Sequence, residues 1–394
     1  MEQNAAVTFV ELAVIGAVAL LGPLLSYPRG WHLPVVLGEL VAGVVLGTTG
    51  FGYLHASDGT FSFLSDIGFA LVMFVAGTHV PVRDPAIRPA LAAGLLRAVA
   101  VAVPAVVLGI VVAMVSGIHH GPLYAVLLSS SSAALVLPIV DSLGLGGEKV
   151  VGLLPQIAIA DTACIVALPL VIDPSHALRA AGGAALVIVA AAVVFVLFRR
   201  IEAKGWRERV HRVSEDRAFA VELRVQLVVL FALAALALQT HVSIMLAGFA
   251  LGLAVAAVGE PRRLAKQLFA LTEGFFGPLF FVWLGAELNL RELGQHPSMI
   301  LLGLALGVGA AVTHMVPLVL RQPVSLNLLS VAQLGVPVAA ATVGTQLGVL
   351  QPGEASALML GALVTIGLAV VGGALAVRAG MVKDAGPEQT GAVA

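Results

Sequence analysis

The sequence predicts an all-α polytopic membrane protein of about thirteen transmembrane helices, arranged as two inverted six-helix repeats with crossed broken helices. Three observations carry that expectation. Of the 394 residues, 59% are hydrophobic and only 11% are charged, whereas soluble domains carry about 25% charged residues. Apolar runs of the ~20 residues that a spanning helix needs recur along the chain. The 21 basic residues, finally, fall almost entirely on one side of the spans those runs define.

In chain order, the runs place spans at 7–26, 33–50, 61–80, 89–116, 122–142, 149–172, 180–198, 218–239, 242–258, 265–288, 298–320, 325–349 and 355–379. Turn-forming residues mark the joints, among them Pro28-Arg29-Gly30, Gly146-Gly147, Asp173-Pro174 and Gly259-Glu260-Pro261. The N-terminus has no positive region ahead of its first apolar run, so that run reads as a span and not as a cleaved signal peptide. With the N-terminus outside, 19 of the 21 basic residues lie on the inner side, and only Arg179 and Arg291 lie on the outer side. Positive residues favour the cytoplasmic side, so the expected frame is a multi-pass cell-membrane protein with its N-terminus outside and its C-terminus inside. A missed or extra span would scramble the asymmetry, which therefore supports the count.

The longest polar connection, 199–217, divides the chain into six spans, a linker span and six further spans. Six and six joined by an odd helix gives inverted halves, a common transporter architecture. The expected units are 1–172 for the first repeat, 173–217 for the linker span and basic loop, 218–380 for the second repeat, and 381–394 for a short cytoplasmic tail. The single cysteine, Cys164, excludes an intrachain disulfide. No phosphate-binding loop or nucleophile–base pair stands out, so neither an enzyme nor a nucleic-acid partner is expected.

Two spans at matching positions are interrupted. The fifth carries Ser129 to Ser132 at mid-depth, and serines compete with the helix for backbone hydrogen bonds. The twelfth, the fifth of the second half, is interrupted at Gly335-Val336-Pro337, with Gln333 just before. Paired interruptions of this kind point to a transport site. Beside the serines, the sixth span carries one carboxylate, Asp161, in an otherwise apolar stretch. An ionisable group at that depth costs roughly 2.5 to 3.5 kcal/mol on insertion scales, so it usually binds something that crosses. The competing reading is a protonated acid that only joins two helices. Thr162, Ser130, Ser131 and Ser132 are candidate hydroxyl ligands.

Several segments resemble the monovalent cation:proton antiporter superfamily, in the branch of the sodium/proton and glutathione-regulated potassium/proton exchangers. LGELVAGVVLGTTGFG (37–52) is similar to the second-span signature and LSDIGFALVMFVAGTHV (64–80) to the third. SSSSAALVLPIVDSLG (129–144) resembles the broken helix, and FFGPLFFVWLGAELNL (275–290) resembles the Phe-Phe-rich span. The resemblance implies a cation/proton antiporter for Na⁺ or K⁺ with no cofactor, the cation held at Asp161 alone, and a homodimer. Ala160-Asp161 stands where electrogenic members have two adjacent aspartates. The eleventh span has His314 or its neighbour Thr313 near the place where many members have lysine. One carboxylate holds one proton or one monovalent cation, so the expected exchange is electroneutral. His314 is the candidate pH sensor, since an unperturbed histidine titrates near 6.5. The alternative is proton-coupled efflux of a small organic molecule or ionophore on the same fold. Glu39 and Asp66 are read as helix-end or interdomain contacts, and His119-His120 as external loop residues.

Overall fold

The computed structural model describes residues 8–27, 35–78, 82–83, 87–172, 174, 177–204, 220–240, 242–259, 262–288 and 290–382. The basic stretch beyond residue 204, up to 217, and the tail from 383 lie outside them, as do the expected joints at 28–30, 173 and 260–261.

The described chain is helical almost throughout. Its elements are α1 (Phe9–Ala19), α2 (Leu21–Ser26), α3 (Val35–Leu46), α4 (Gly59–Thr78), α5 (Ile87–Ser116), α6 (Gly121–Ser129), α7 (Ala133–Ser142), α8 (Glu148–Val151), α9 (Leu154–Ile172) and α10 (Ala177–Ala203). There follow α11 (Val221–Gln239), α12 (Ile244–Val258), α13 (Arg262–Leu271), a π turn (Thr272–Phe276), α14 (Gly277–Glu287), α15 (Leu290–Gln295) and α16 (Pro297–His314). A 3₁₀ turn (Val316–Leu320), α17 (Val324–Ser330), α18 (Gly335–Gln346) and α19 (Glu354–Arg378) complete the chain. Among the described residues, eleven helical segments are long and apolar enough to cross a membrane. Two shorter apolar helices, α3 and α12, occupy the expected second and ninth spans. At 1.5 Å per residue, helices of 12 and 15 residues reach only about 18 and 22 Å.

Those two short helices make close backbone crossings. On α3, Gly43 lies so near α14 that an added Cβ would sit 2.8 Å from the Gly285 Cα. On α12, a Cβ at Gly252 would sit 2.8 Å from the Gly77 Cα of α4. Without a hydrophobic drive between helices in lipid, small residues that admit close backbone packing carry association. The guanidiniums beyond these crossings also correspond. Arg83 Nη1 donates to Val258 O at the end of α12 (2.9 Å). Arg291 donates through Nε to Thr49 O (3.0 Å) and through Nη2 to Gly50 O (2.7 Å), beyond the end of α3. A cation at a helix C-terminus satisfies orphan carbonyls and opposes the dipole. Arg291, one of the two basic residues expected on the outer side, is engaged in this capping contact. Gly77 and Arg83 are six residues apart, as are Gly285 and Arg291: the same device recurs in each half of the chain.

The other large group consists of α5, α6, α7, α9 and α16 to α19. Here α5 packs on α6 and α9, while α19 packs on α16, α17 and α18. The two interrupted spans lie inside this group.

Candidate functional site

The first interruption is Ser130 to Ser132. Ser129 closes α6, Ser130 (φ −74°, ψ 147°) and Ser132 (φ −119°, ψ 110°) are extended, and Ala133 opens α7. The second interruption is 331–334 and falls earlier than expected. Gly335 and Pro337 do not break the span; they form the first turn of α18. The reason is that a proline in the first turn gives up only an amide that has no helical acceptor.

Each interruption leaves helix-end carbonyls that need partners within the buried core. The two interruptions supply each other. Gln333 Nε2 donates to Leu127 O (2.6 Å) and Ser130 O (3.4 Å) at the end of α6. Ser131 Oγ donates to Ser330 O at the end of α17 (2.6 Å), and Ser132 N donates to Ala332 O (2.7 Å). Thr313 Oγ1 donates to Leu128 O (2.8 Å), holding α16 to the end of α6. The breaks therefore cross in contact, and their matched positions have a physical reason.

Asp161 sits on α9 against the first break and is only 2% exposed. Its Oδ2 accepts from Ala133 N at 2.8 Å, the first amide of α7. A helix N-terminus offers unpaired N–H groups and a positive dipole end to an anion. Beside Ala133, the Ser132 hydroxyl is buried and has no hydrogen-bond partner among the described residues. A buried polar atom without a partner costs about 1–3 kcal/mol, and this is the one hydroxyl of the break that makes no hydrogen bond among the described residues. Ser130 Oγ is engaged with Leu127 O (3.0 Å).

Thr162 is not brought to the break. Its Oγ1 donates to Ala158 O one turn back (2.7 Å), and the residue lines a separate apolar cavity with Pro155, Phe249 and Leu253. Pro155 lies in the first turn of α9.

The structure gives the two eleventh-span candidates, Thr313 and His314, different contacts. Thr313 braces α6, and His314 faces the serines. Nδ1 of His314 is 2.8 Å from Ala310 O, so that nitrogen carries the proton. Nε2 is then a lone pair, 3.4 Å from Ser131 Oγ. The one Ser131 proton goes to Ser330 O, so the His314–Ser131 contact becomes a hydrogen bond only when His314 is doubly protonated.

Sequence reasoning set His120 aside as a loop residue and missed Glu354. His120 caps α6, and its Nδ1 lies 2.7 Å from Glu354 Oε1, which also accepts from Tyr124 OH at 2.7 Å. The fully buried Glu354 carboxylate takes the Gln351 amide at 2.8 Å on its other oxygen. The hydrogen bond to Glu354 raises the His120 pKa above 6.5. This cluster clamps the start of α6 to the start of α19. An acidic residue opening an apolar span was the only signal for it in the sequence.

The fold and the crossed breaks define a membrane transporter. The sequence profile of the transmembrane sodium/hydrogen exchanger family matches residues 16–378. The chain belongs to that family, one of transporters and not of enzymes, and within the monovalent cation:proton antiporter superfamily that the motifs resembled. It is 24% identical over 375 residues to the putative Na⁺/H⁺ antiporter YjbQ of Bacillus subtilis, covering 90% of this chain but 61% of that protein's length. It is 24% identical to the probable Na⁺/H⁺ antiporter 3 of Methanocaldococcus jannaschii, covering 89% of this chain and 90% of that one. The structure resembles that of the sodium proton antiporter MjNhaP1 from the same organism, with a TM-score of 0.64 at 17% identity over 94% of this chain and 96% of that one. That likeness bears on the fold.

Proposed function

We propose that this protein exchanges a monovalent cation, Na⁺ or K⁺, for a proton across the cell membrane, with Asp161 as the one site both ions share. A single observation carries the reading: a buried carboxylate rests on the first amide of α7, beside the unpartnered Ser132 hydroxyl. With a cation bound, Asp161 and Ser132 Oγ supply oxygens to it; with a proton bound, the carboxyl is neutral and stays buried at lower cost. The Ala133 amide holds the carboxylate in place in both states. His314 adjusts the first break with pH by donating to Ser131 when protonated.

The α3–α14 and α4–α12 crossings form a scaffold, also the surface for a homodimer, against which the interrupted helices move. The repeats run over 1–172 and 218–380 around the 173–217 linker, with the N-terminus outside. The dehydrated cation replaces one proton, so exchange moves no net charge. Proteoliposomes with an imposed pH gradient test this. Na⁺ or K⁺ should collapse the gradient. A valinomycin-clamped potential of 100 mV, worth about 2.3 kcal/mol per charge, should leave the rate unchanged. A clear voltage dependence would defeat electroneutrality, and no response to either cation would defeat the exchange itself.

A further inference from the structure

A second polar location lies just beyond the second break. An open cavity of ≈420 Å³ is lined by α4, α12 and α14 on one side and by the far end of α9, the start of α10, the end of α11 and α18 on the other. Leu168, which lines it, is seven residues beyond Asp161, about 10 Å along α9. Its volume falls within the roughly 300–1,000 Å³ of small-molecule sites.

The lining has an unusual composition. It contains the carboxylate of Asp66 and the guanidinium of Arg179. Neither forms an ion pair with the other or with any other described residue. Asp66 lies on one face of α4 with Ser62, Ser65 and Phe69, at spacings that bring side chains together. The Ser65 hydroxyl is 1% exposed and has no partner among the described residues. The wall is aromatic: the Phe69 and Phe280 rings stack at 4.7 Å, and Trp283 is held by its Nε1 donating to Ala56 O at 3.0 Å.

We infer that this cavity binds a small zwitterion, a molecule with an ammonium group, a carboxylate and an apolar body. A lone metal cation is a poor occupant, because Arg179 repels it and most of the wall offers no oxygen. A lone anion is a poor occupant, because Asp66 repels it. A molecule carrying both charges satisfies both groups. Its carboxylate takes the guanidinium fork. Its ammonium takes Asp66, with the Ser65 hydroxyl as a further acceptor. Its apolar body covers the aromatic wall, where a cation gains additional attraction from the ring faces.

The test needs no ion gradient, so it stands or falls independently of the exchange reading. The full chain in detergent is titrated with L-phenylalanine and L-leucine as zwitterions, phenethylamine as the amine alone, and 3-phenylpropionate as the acid alone. Trp283 in the wall makes tryptophan fluorescence the readout, with calorimetry alongside. A saturable response to at least one amino acid is expected, with the amine and the acid each weaker by about tenfold or more, about 1.4 kcal/mol. D66N and R179Q should each weaken amino-acid binding to a similar degree. Both side chains are exposed and without partners, so an unchanged melting profile will show that the variants fold. Absence of saturable binding by both amino acids, equal binding of all probes, or indifference to both substitutions would overturn the inference.

Discussion

The two interruptions share a backbone plan but differ in chemistry. In the first, α9 presents the Asp161 carboxylate to Ala133 N at the start of α7 (2.8 Å). In the second, α19 presents the Thr365 hydroxyl to Gln333 N just before α18 (3.2 Å). The sixth span of each half thus supports its own break through one side-chain oxygen. The first oxygen carries an ionisable charge and the second does not. The first break keeps an unpartnered hydroxyl at Ser132, whereas at the second an added Cβ on Gly335 would run into the Met245 sulfur. The two cradles are similar, and only the first is faced by an ionisable side chain. This asymmetry is the structural argument for a single site.

The comparison can be broken from the second break outward. Gln333→Leu should have the largest effect on stability. It removes the Nε2 donor from both Leu127 O, which keeps Ser130 N and Oγ as donors, and Ser130 O, whose described side-chain partner is Gln333 alone. Side-chain hydrogen bonds in membranes average about 0.6 kcal/mol, but an unsatisfied buried group costs about 1–3 kcal/mol, and the second figure applies here. A lowered melting temperature in detergent checks it. Thr365→Val keeps the shape and removes one hydrogen bond, so about 0.5–1.5 kcal/mol should be lost. Exchange should survive, because no ion is expected at the second break.

Ser132→Ala sharpens the contrast from the other side. The hydroxyl has no partner to lose, so stability should change by less than about 0.5 kcal/mol. The cation concentration for half-maximal exchange should nevertheless rise by about tenfold, equivalent to 1.4 kcal/mol of binding. Unchanged cation affinity would remove Ser132 from the site.

The smallest effect concerns pH and the clamp on α6. His120 has a folded pKa raised by Glu354. A raised histidine pKa stabilises the fold fully below the unfolded value near 6.5, and that contribution is lost as pH rises through the folded value. The melting temperature should therefore fall as pH increases above about 6.5, and His120→Asn should flatten that slope. An unchanged slope in the variant would show that another group titrates.

How much of this was legible in the sequence depended on how local the signal was. Span positions, the serine break and the buried carboxylate rest on composition within a few residues, and they appear where expected. The second break was displaced because Gly335 and Pro337 are conspicuous residues, while the non-helical residues 331–334 look like ordinary helix in sequence. Their backbone is held open by bonds to Ser132 and Thr365, more than thirty residues away in sequence. Thr162 looked like a ligand because it adjoins Asp161, yet neighbouring residues on a helix face different directions. The His120–Glu354 pair spans 234 residues, and no local pattern announces it. The glycine crossings were visible only as a general abundance of glycine; their pairing came from the packing of α3 on α14 and α4 on α12.

The central claim is that one carboxylate carries both ions. Its most direct test is cation-dependent proton flux in proteoliposomes containing wild type, Asp161→Asn or Thr365→Val at equal protein density. Asparagine preserves the side chain's size and removes the exchangeable proton and the charge. The account predicts flux at the protein-free background for Asp161→Asn and flux close to wild type for Thr365→Val. Cation-dependent flux that persists in Asp161→Asn would contradict it.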